Sequence, residues 1–328
     1  MSLRTVLSRG FWLRLGWLVW YCQSVASLSP PSRSSSAATT VEVSKIRAIS
    51  FDVTGTLLAT REPVVKSYHD AAVWARLPDP PSQEQLKRGF KLAFKERSIE
   101  SPCFGGVEGI SGRDWWQQTI RRVLHYAALD DDNKNKDKKQ QQSYTEEEFQ
   151  RYFRRVYQHF GSPVGYQVLE DAQYLLSAIE ASPLSDDLVQ GITSNTPIRH
   201  MESVLPMLDG FHDHFSWFTC SQEVGHEKPS PLIFEDALQK VRFWLDDPHL
   251  GPEAVLHIGD SYACDYCGAK AFGFQALLLD RTGHPSVTTY QDWMEAPDYH
   301  GKSPEDAAAN TVASLEEVTT ILGLEGAR

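Results

Sequence analysis

Short apolar runs alternate along this chain with stretches that repeat apolar residues every three or four positions. Ile49-Ser50-Phe51 is a β-favouring approach that runs into Asp52 and then Thr54-Gly55-Thr56, so the pattern predicts a strand that carries a carboxylate to its carboxyl end and turns at glycine. The period then becomes helical. Tyr68 to Leu77, Ser82 to Arg97, Gly112 to Leu129 and Thr145 to Phe160 each place apolar or aromatic residues on one face, as Leu86, Phe90, Ala93 and Phe94 do. Between the last two lies a polar low-complexity stretch at 130–142, which reads as a flexible loop.

From Val168 onward strands and helices alternate. The pattern predicts helices at Glu170 to Ala181, Pro197 to Leu208, Pro231 to Trp244 and Tyr266 to Phe272. It predicts strands at Leu188 to Thr193, Phe215 to Thr219, Ala254 to Ile258 and Gln275 to Leu279. Such alternation implies an α/β fold, a doubly wound parallel sheet with a Rossmann-like core spanning 46–60 and 165–322. The four helices of 61–164 interrupt that core after its first strand as a separate helical insert.

The chain of 328 residues is long enough to bury a sizeable core. Its formal net charge of -11 argues against a nucleic-acid partner, because no basic stripe offsets the acidic balance. Five cysteines are too few for a disulfide scaffold at this size. Residues 1–40 differ from the rest: Arg4, Arg9, Arg14 and Arg33 occur with no acidic residue, beside an apolar run from Leu15 to Cys22 and a Ser/Ala-rich tail. This reads as a cleavable targeting segment for an organelle (plastid or mitochondrion) or for the secretory route. The apolar run is far shorter than the ~20 residues of a membrane-spanning helix, so no membrane anchor is expected.

Three later places offer partners for Asp52. Ser194-Asn195 ends a predicted strand with a hydroxyl and an amide, neutral donors suited to a phosphate-like oxyanion. Lys228, in Gly-His-Glu-Lys-Pro, supplies an ammonium that balances carboxylates. Asp260 and Asp265 follow another strand end. Singly, each has a plainer reading, as a helix-capping residue or a solvated charge. Cys264-x-x-Cys267 reads as packing, and His212 and His214 as solvated surface. Adjacent helix positions point about 100° apart, so at most one of Trp115 and Trp116 faces a substrate, with core packing the default for both.

In this order, Asp52 with Gly-Thr, Ser194-Asn195, Lys228-Pro229 and Gly259-Asp260 with trailing Asp265 resemble the haloacid dehalogenase-like hydrolase superfamily. Trp115-Trp116, the run from Lys228 to Phe234 and the run from His257 to Tyr266 resemble, more narrowly, its domain-containing protein 3 group. The helical insert lies where the superfamily places a mobile cap domain. The resemblance implies a phosphatase: Asp52 as nucleophile forming an aspartyl-phosphate, Ser194, Asn195 and Lys228 holding the phosphoryl group of a small phosphorylated substrate, and Mg²⁺ as cofactor. The metal would be held by Asp52, Asp260, Asp265 and the backbone carbonyl of Thr54.

Thr54 departs from that pattern. The superfamily's phosphatases usually carry there a second aspartate that protonates the leaving group, a contribution of roughly 10²- to 10⁴-fold. The departure predicts weak activity biased toward activated esters. It also leaves two alternatives open: a catalytically feeble binding or scaffold protein, and a carbon-halogen or carbon-phosphorus hydrolase, the last needing a Schiff-base lysine such as Lys66, Lys87, Lys91 or Lys95.

Overall fold

The structure is a computed structural model that describes residues 39–129, 144–183, 187–281 and 305–324. The loop expected at 130–142 lies outside the described residues, as does the targeting segment of 1–40 except for Thr39 and Thr40. No described helix is long and apolar enough to cross a membrane.

Six strands form one parallel sheet: β1 (Ala48–Phe51), β4 (Val189–Ser194), β5 (Trp217–Cys220), β6 (Val255–Gly259), β7 (Gln275–Leu279) and β8 (Thr311–Val312). Their spatial order is β5-β4-β1-β6-β7-β8. All four residues of β1 and all five of β6 are buried, as expected of strands covered on both faces. The chain leaves β1, fills one side with β4 and β5, then crosses to β6, β7 and β8. The strand order therefore reverses at β1, and the crevice at the carboxyl ends there is the place where open α/β sheets bind ligands.

A second, two-stranded antiparallel sheet pairs β2 (Leu58–Thr60) with β3 (Tyr166–Val168). Between these strands, the described residues form the α-helices α1 (Val64–Trp74), α2 (Gln83–Glu100), α3 (Gly112–Ala127) and α4 (Glu146–His159). Ser82 and Thr145 close capping boxes at the starts of α2 and α4, which fixes where each begins. Their apolar faces bury a cluster of their own, including Leu86, Phe90, Ile120, Tyr152 and Phe153, apart from the sheet core around Ile49, Phe51, Leu175, Ile192 and Ile258.

Several predicted elements differ in detail. The helix expected over Pro197 to Leu208 is a π-turn at His200–Val204 followed by a 3-10 turn at Leu205–Met207, and Pro206 supplies no amide hydrogen to continue an α-helix. The helix expected over Tyr266 to Phe272 opens earlier, as a π-turn at Tyr262–Cys267, and becomes α-helical only at Gly268–Phe272. After Gln275 to Leu279 the structure adds β8 and a helix at Leu315–Ile321, neither of which the pattern predicts.

Candidate active site

The site grows from the register of three neighbouring strands. Phe51 of β1 lies opposite Ile192 on one side and Ile258 on the other, so the residues that follow emerge together at one edge of the sheet. Asp52 donates its amide to the Ile258 carbonyl at 2.9 Å, which ties the carboxylate-bearing residue to β6. Ser194 ends β4 near Asp52, and its hydroxyl helps to lower the pKa of the Asp52 carboxyl. Gly259 ends β6 and hands the chain to Asp260.

Lys228 is the electrostatic hub. Its Nζ donates to Asp52 Oδ1 at 2.6 Å, to Asp265 Oδ1 at 2.5 Å and to the Thr193 carbonyl at 2.9 Å, which uses all three ammonium hydrogens. Burial alone would lower its pKa, and the carboxylates of Asp265 and Asp52 outweigh that, so the ammonium is held above its usual range. For Asp265 the balance runs the other way. Burial pushes its carboxyl up, but Lys228 and His257 more than offset this, and it stays ionised well below the usual carboxylate range. Asp52 is pushed up by burial, with Lys228 opposing the shift.

Asp260 has no such relief. Both its carboxylate oxygens are buried without a hydrogen-bond partner, and burial followed by the charges of Asp52 and Asp265 drives its pKa well above the ordinary value. One oxygen from each of Asp52, Asp260 and Asp265 lies within 4.8 Å of the others. Hard carboxylate oxygens converging on one point, one pair orphaned, fit a divalent cation that takes oxygen donors, as Mg²⁺ does. Two glycines make room for this cluster. At Gly55, with φ +91°, a Cβ would lie 2.3 Å from Asp260 Oδ2; at Gly259 it would lie 2.2 Å from Asp265 Cγ.

The structure adds residues that the sequence reading passed over. His257, wholly buried in the middle of β6, bridges Asp265 Oδ1 through Nε2 and Ser50 Oγ through Nδ1, both at 3.0 Å. With Asp265 ionised, Nε2 carries the hydrogen and Nδ1 accepts from Ser50. A histidine inside an apolar strand was the available signal. Arg281, following β7, donates to the carbonyls of Gly55 (2.5 Å) and Thr56 (2.7 Å) while pairing with Asp171 at 2.7 Å. It thereby fixes the turn after Asp52, and no local pattern marks it, since Asp171 is 110 residues away.

Asn195 contacts the backbone of Lys228. Its Oδ1 accepts from the Lys228 amide at 2.7 Å and its Nδ2 donates to the Lys228 carbonyl at 3.0 Å, so it clamps the backbone that carries the ammonium. Thr54 is half-buried and lines a cavity of about 390 Å³ together with Asn195, Arg199, Glu227 and aromatic residues of the helical segment. Trp116 lines this cavity, while Trp115 is buried and donates to the Ser101 carbonyl at 2.7 Å. Burial raises the Cys264 thiol to about 11, leaving no reactive thiolate. His212 stacks on Phe218 at 4.7 Å and pairs with Asp213, outside the carboxylate cluster.

A family model described as haloacid dehalogenase-like hydrolase matches residues 46–273. The Homo sapiens haloacid dehalogenase-like hydrolase domain-containing protein 3 is 28% identical over 235 residues, covering 72% of this chain and 82% of that protein. Among solved structures, a 2-haloacid dehalogenase from Pseudomonas syringae pv. Tomato DC3000 is similar at TM-score 0.52 and 19% identity, over 85% of this chain and 98% of its own. A putative beta-phosphoglucomutase from Thermotoga maritima is similar at TM-score 0.52 and 17% identity, over 85% and 99%. At these identities the two structures speak for the fold.

Proposed function

The chain belongs to the haloacid dehalogenase-like hydrolases, and from that premise we propose that it is a Mg²⁺-dependent phosphatase working through an aspartyl-phosphate on Asp52. The observation that supports this most is the convergence of Asp52, Ser194, Lys228, Asp260 and Asp265 at the carboxyl ends of β1, β4 and β6 and in the loops beside them. Asp52, Asp260, Asp265 and the Thr54 carbonyl would hold the cation, which when bound supplies charge neutralisation to the phosphoryl oxygens.

The chain's own groups divide the remaining work. An Asp52 oxygen forms a bond to phosphorus as the ester bond breaks in line, and the leaving oxygen departs with the electron pair. Ser194 donates to a phosphoryl oxygen, and Lys228 offsets the charge that Asp52 and the phosphoryl group share. Water then attacks phosphorus, releasing phosphate and regenerating the Asp52 carboxylate. Thr54 has no proton to give near neutral pH, so leaving groups that depart without one, acyl and aryl oxygens, are favoured over alkoxides. The helical segment of 61–164 serves as the cap over this site.

Carbon-halogen cleavage needs no cation and leaves the orphaned Asp260 pair without a use. Carbon-phosphorus cleavage calls for a Schiff-base lysine, and no lysine lines the cavity among the described residues. Lys66 instead pairs at the surface with Glu62 and Asp70. The scaffold reading draws on Thr54 alone. Acetyl phosphate is the discriminating substrate, because it needs no leaving-group proton. Its hydrolysis should require Mg²⁺ and vanish in Asp52→Asn; hydrolysis that persists in Asp52→Asn would refute the nucleophile, and none in the wild type would leave the scaffold reading standing.

A further inference from the structure

We infer that the organic part of the substrate is an uncharged aromatic group, so that the protein acts on aryl-bearing phosphate monoesters with no second anionic group; this rests on the phosphatase reading of the same site. Thr54, in the turn after Asp52, and Asn195, directly after Ser194, form one end of the 390 Å³ cavity. The walls beyond them are rings: Tyr68, Phe94, Phe104, Trp116, Phe160 and Tyr166. The Trp116 ring has its centroid 6.1 Å from that of Phe104 and 6.0 Å from that of Phe94, and its plane is tilted by only 30° to the first and 35° to the second. These three rings form a contiguous aromatic stretch of the cavity wall centred on Trp116. The cavity is more than twice the about 150 Å³ that holds benzene in an apolar core, room for one or two fused rings.

Phe104 is placed at a conformational cost. It and Cys103 both hold positive φ, 54° and 53°, in the region that side chains disfavour. Two contacts from the sheet side keep them there: Glu227 accepts the Cys103 amide at 3.2 Å, and Gln222 Nε2 donates to the Phe104 carbonyl at 3.2 Å. These two bonds hold the strained pair in place, and Phe104 lines the cavity.

The charged groups in the cavity argue against a second phosphate or a carboxylate on the substrate. Among the described residues, Arg199 and Glu227 are the charged side chains lining it, one of each sign. The Arg199 guanidinium donates one of its five N–H groups to the Tyr157 carbonyl at 2.7 Å and lies 3.7 Å over the Tyr157 ring, and the Glu227 carboxyl lining the same cavity offsets its charge. The Glu227 carboxyl, an acceptor for the Cys103 amide, offers an incoming anion no attraction. Thr54 points the same way independently, because an aryl oxygen leaves without the proton that Thr54 cannot supply.

Binding of non-hydrolysable phosphonates to the full chain with Mg²⁺, followed by calorimetry, isolates the ring from the chemistry. 1-Naphthylmethylphosphonate should bind at least about tenfold more tightly than methylphosphonate, the scale of one well-stacked ring. Phosphonoacetate, which carries a second anion, should bind no more tightly than methylphosphonate. In Trp116→Ala, and in the milder Phe104→Leu should the first fail to fold, the naphthyl-to-methyl affinity ratio should fall toward one. Equal affinities for all three ligands, or a preference for phosphonoacetate, would overturn the aromatic assignment while leaving phosphoryl binding intact. Failure of every phosphonate to bind would overturn both it and the phosphatase reading beneath it.

Discussion

Replacing Lys228 by methionine removes the charge that pairs with both Asp52 and Asp265. The ammonium lies 2.6 Å from Asp52 Oδ1 and 2.5 Å from Asp265 Oδ1, with side-chain exposures of 2% for Lys228, 12% for Asp52 and 2% for Asp265. Two such contacts amount to on the order of 10 kcal/mol at an effective dielectric constant near 20. Sparing the ammonium its desolvation returns several kcal/mol of that, so the expected net loss of stability is about 3–5 kcal/mol. The assay is the urea midpoint, measured with a chelator and again with Mg²⁺. Mg²⁺ should recover part of the loss, because the cation then shares the stranded carboxylates. Asp52→Asn in the Lys228→Met background should also recover part, giving a coupling energy above about 1 kcal/mol in the double-mutant cycle. A loss below about 1 kcal/mol, or additive single effects, would refute the account of Lys228 as the group that holds the carboxylates together.

Thr54→Asp should raise turnover of alkyl phosphates by about tenfold or more, since general acid help is worth roughly 10²- to 10⁴-fold when well placed; an unchanged rate would mean that another group already serves as acid. Gly55→Ala places a Cβ 2.3 Å from Asp260 Oδ2 at a φ of +91°. It should weaken Mg²⁺ binding measurably and cost about 1–3 kcal/mol of stability; unaltered Mg²⁺ affinity would contradict the position given to Asp260. His200 is buried, and burial, then the charge of Arg199, lowers its pKa to about 4 from 6.5. The unfolded chain therefore takes up a proton that the folded one refuses, and stability present above pH 6.5 should fall by about 3 kcal/mol as the pH drops to about 4. His200→Leu should flatten that part of the profile, and an unchanged slope would refute the assignment.

How much was legible in the chain depended on how local the cause was. β1 and β6 declare themselves as mostly apolar runs because both faces are covered, β4 shows the weaker signal of Val189 and Ile192 among polar residues, and the three carboxyl ends announce Asp52, Ser194 and Asp260. β8, Thr311–Val312, is too short for any alternation to reveal it. The π-turns at His200–Val204 and Tyr262–Cys267 share their apolar spacing with an α-helix, so periodicity cannot separate the two. Arg281 acts through Asp171 and the turn at Gly55, contacts that only the sheet order brings together. Asn195 was found for its amide, yet what that amide touches depends on where the Lys228 backbone passes.

The central claim is that Asp52 forms a covalent phosphoryl intermediate. Its most direct test is mass analysis of the acid-quenched protein after reaction with acetyl phosphate and Mg²⁺. Because Thr54 gives no help to the attacking water, the intermediate should accumulate, and a phosphoryl adduct should appear on the peptide carrying Asp52 and be missing from Asp52→Asn. Turnover of acetyl phosphate with no adduct on that peptide, or the same adduct in Asp52→Asn, would contradict the account.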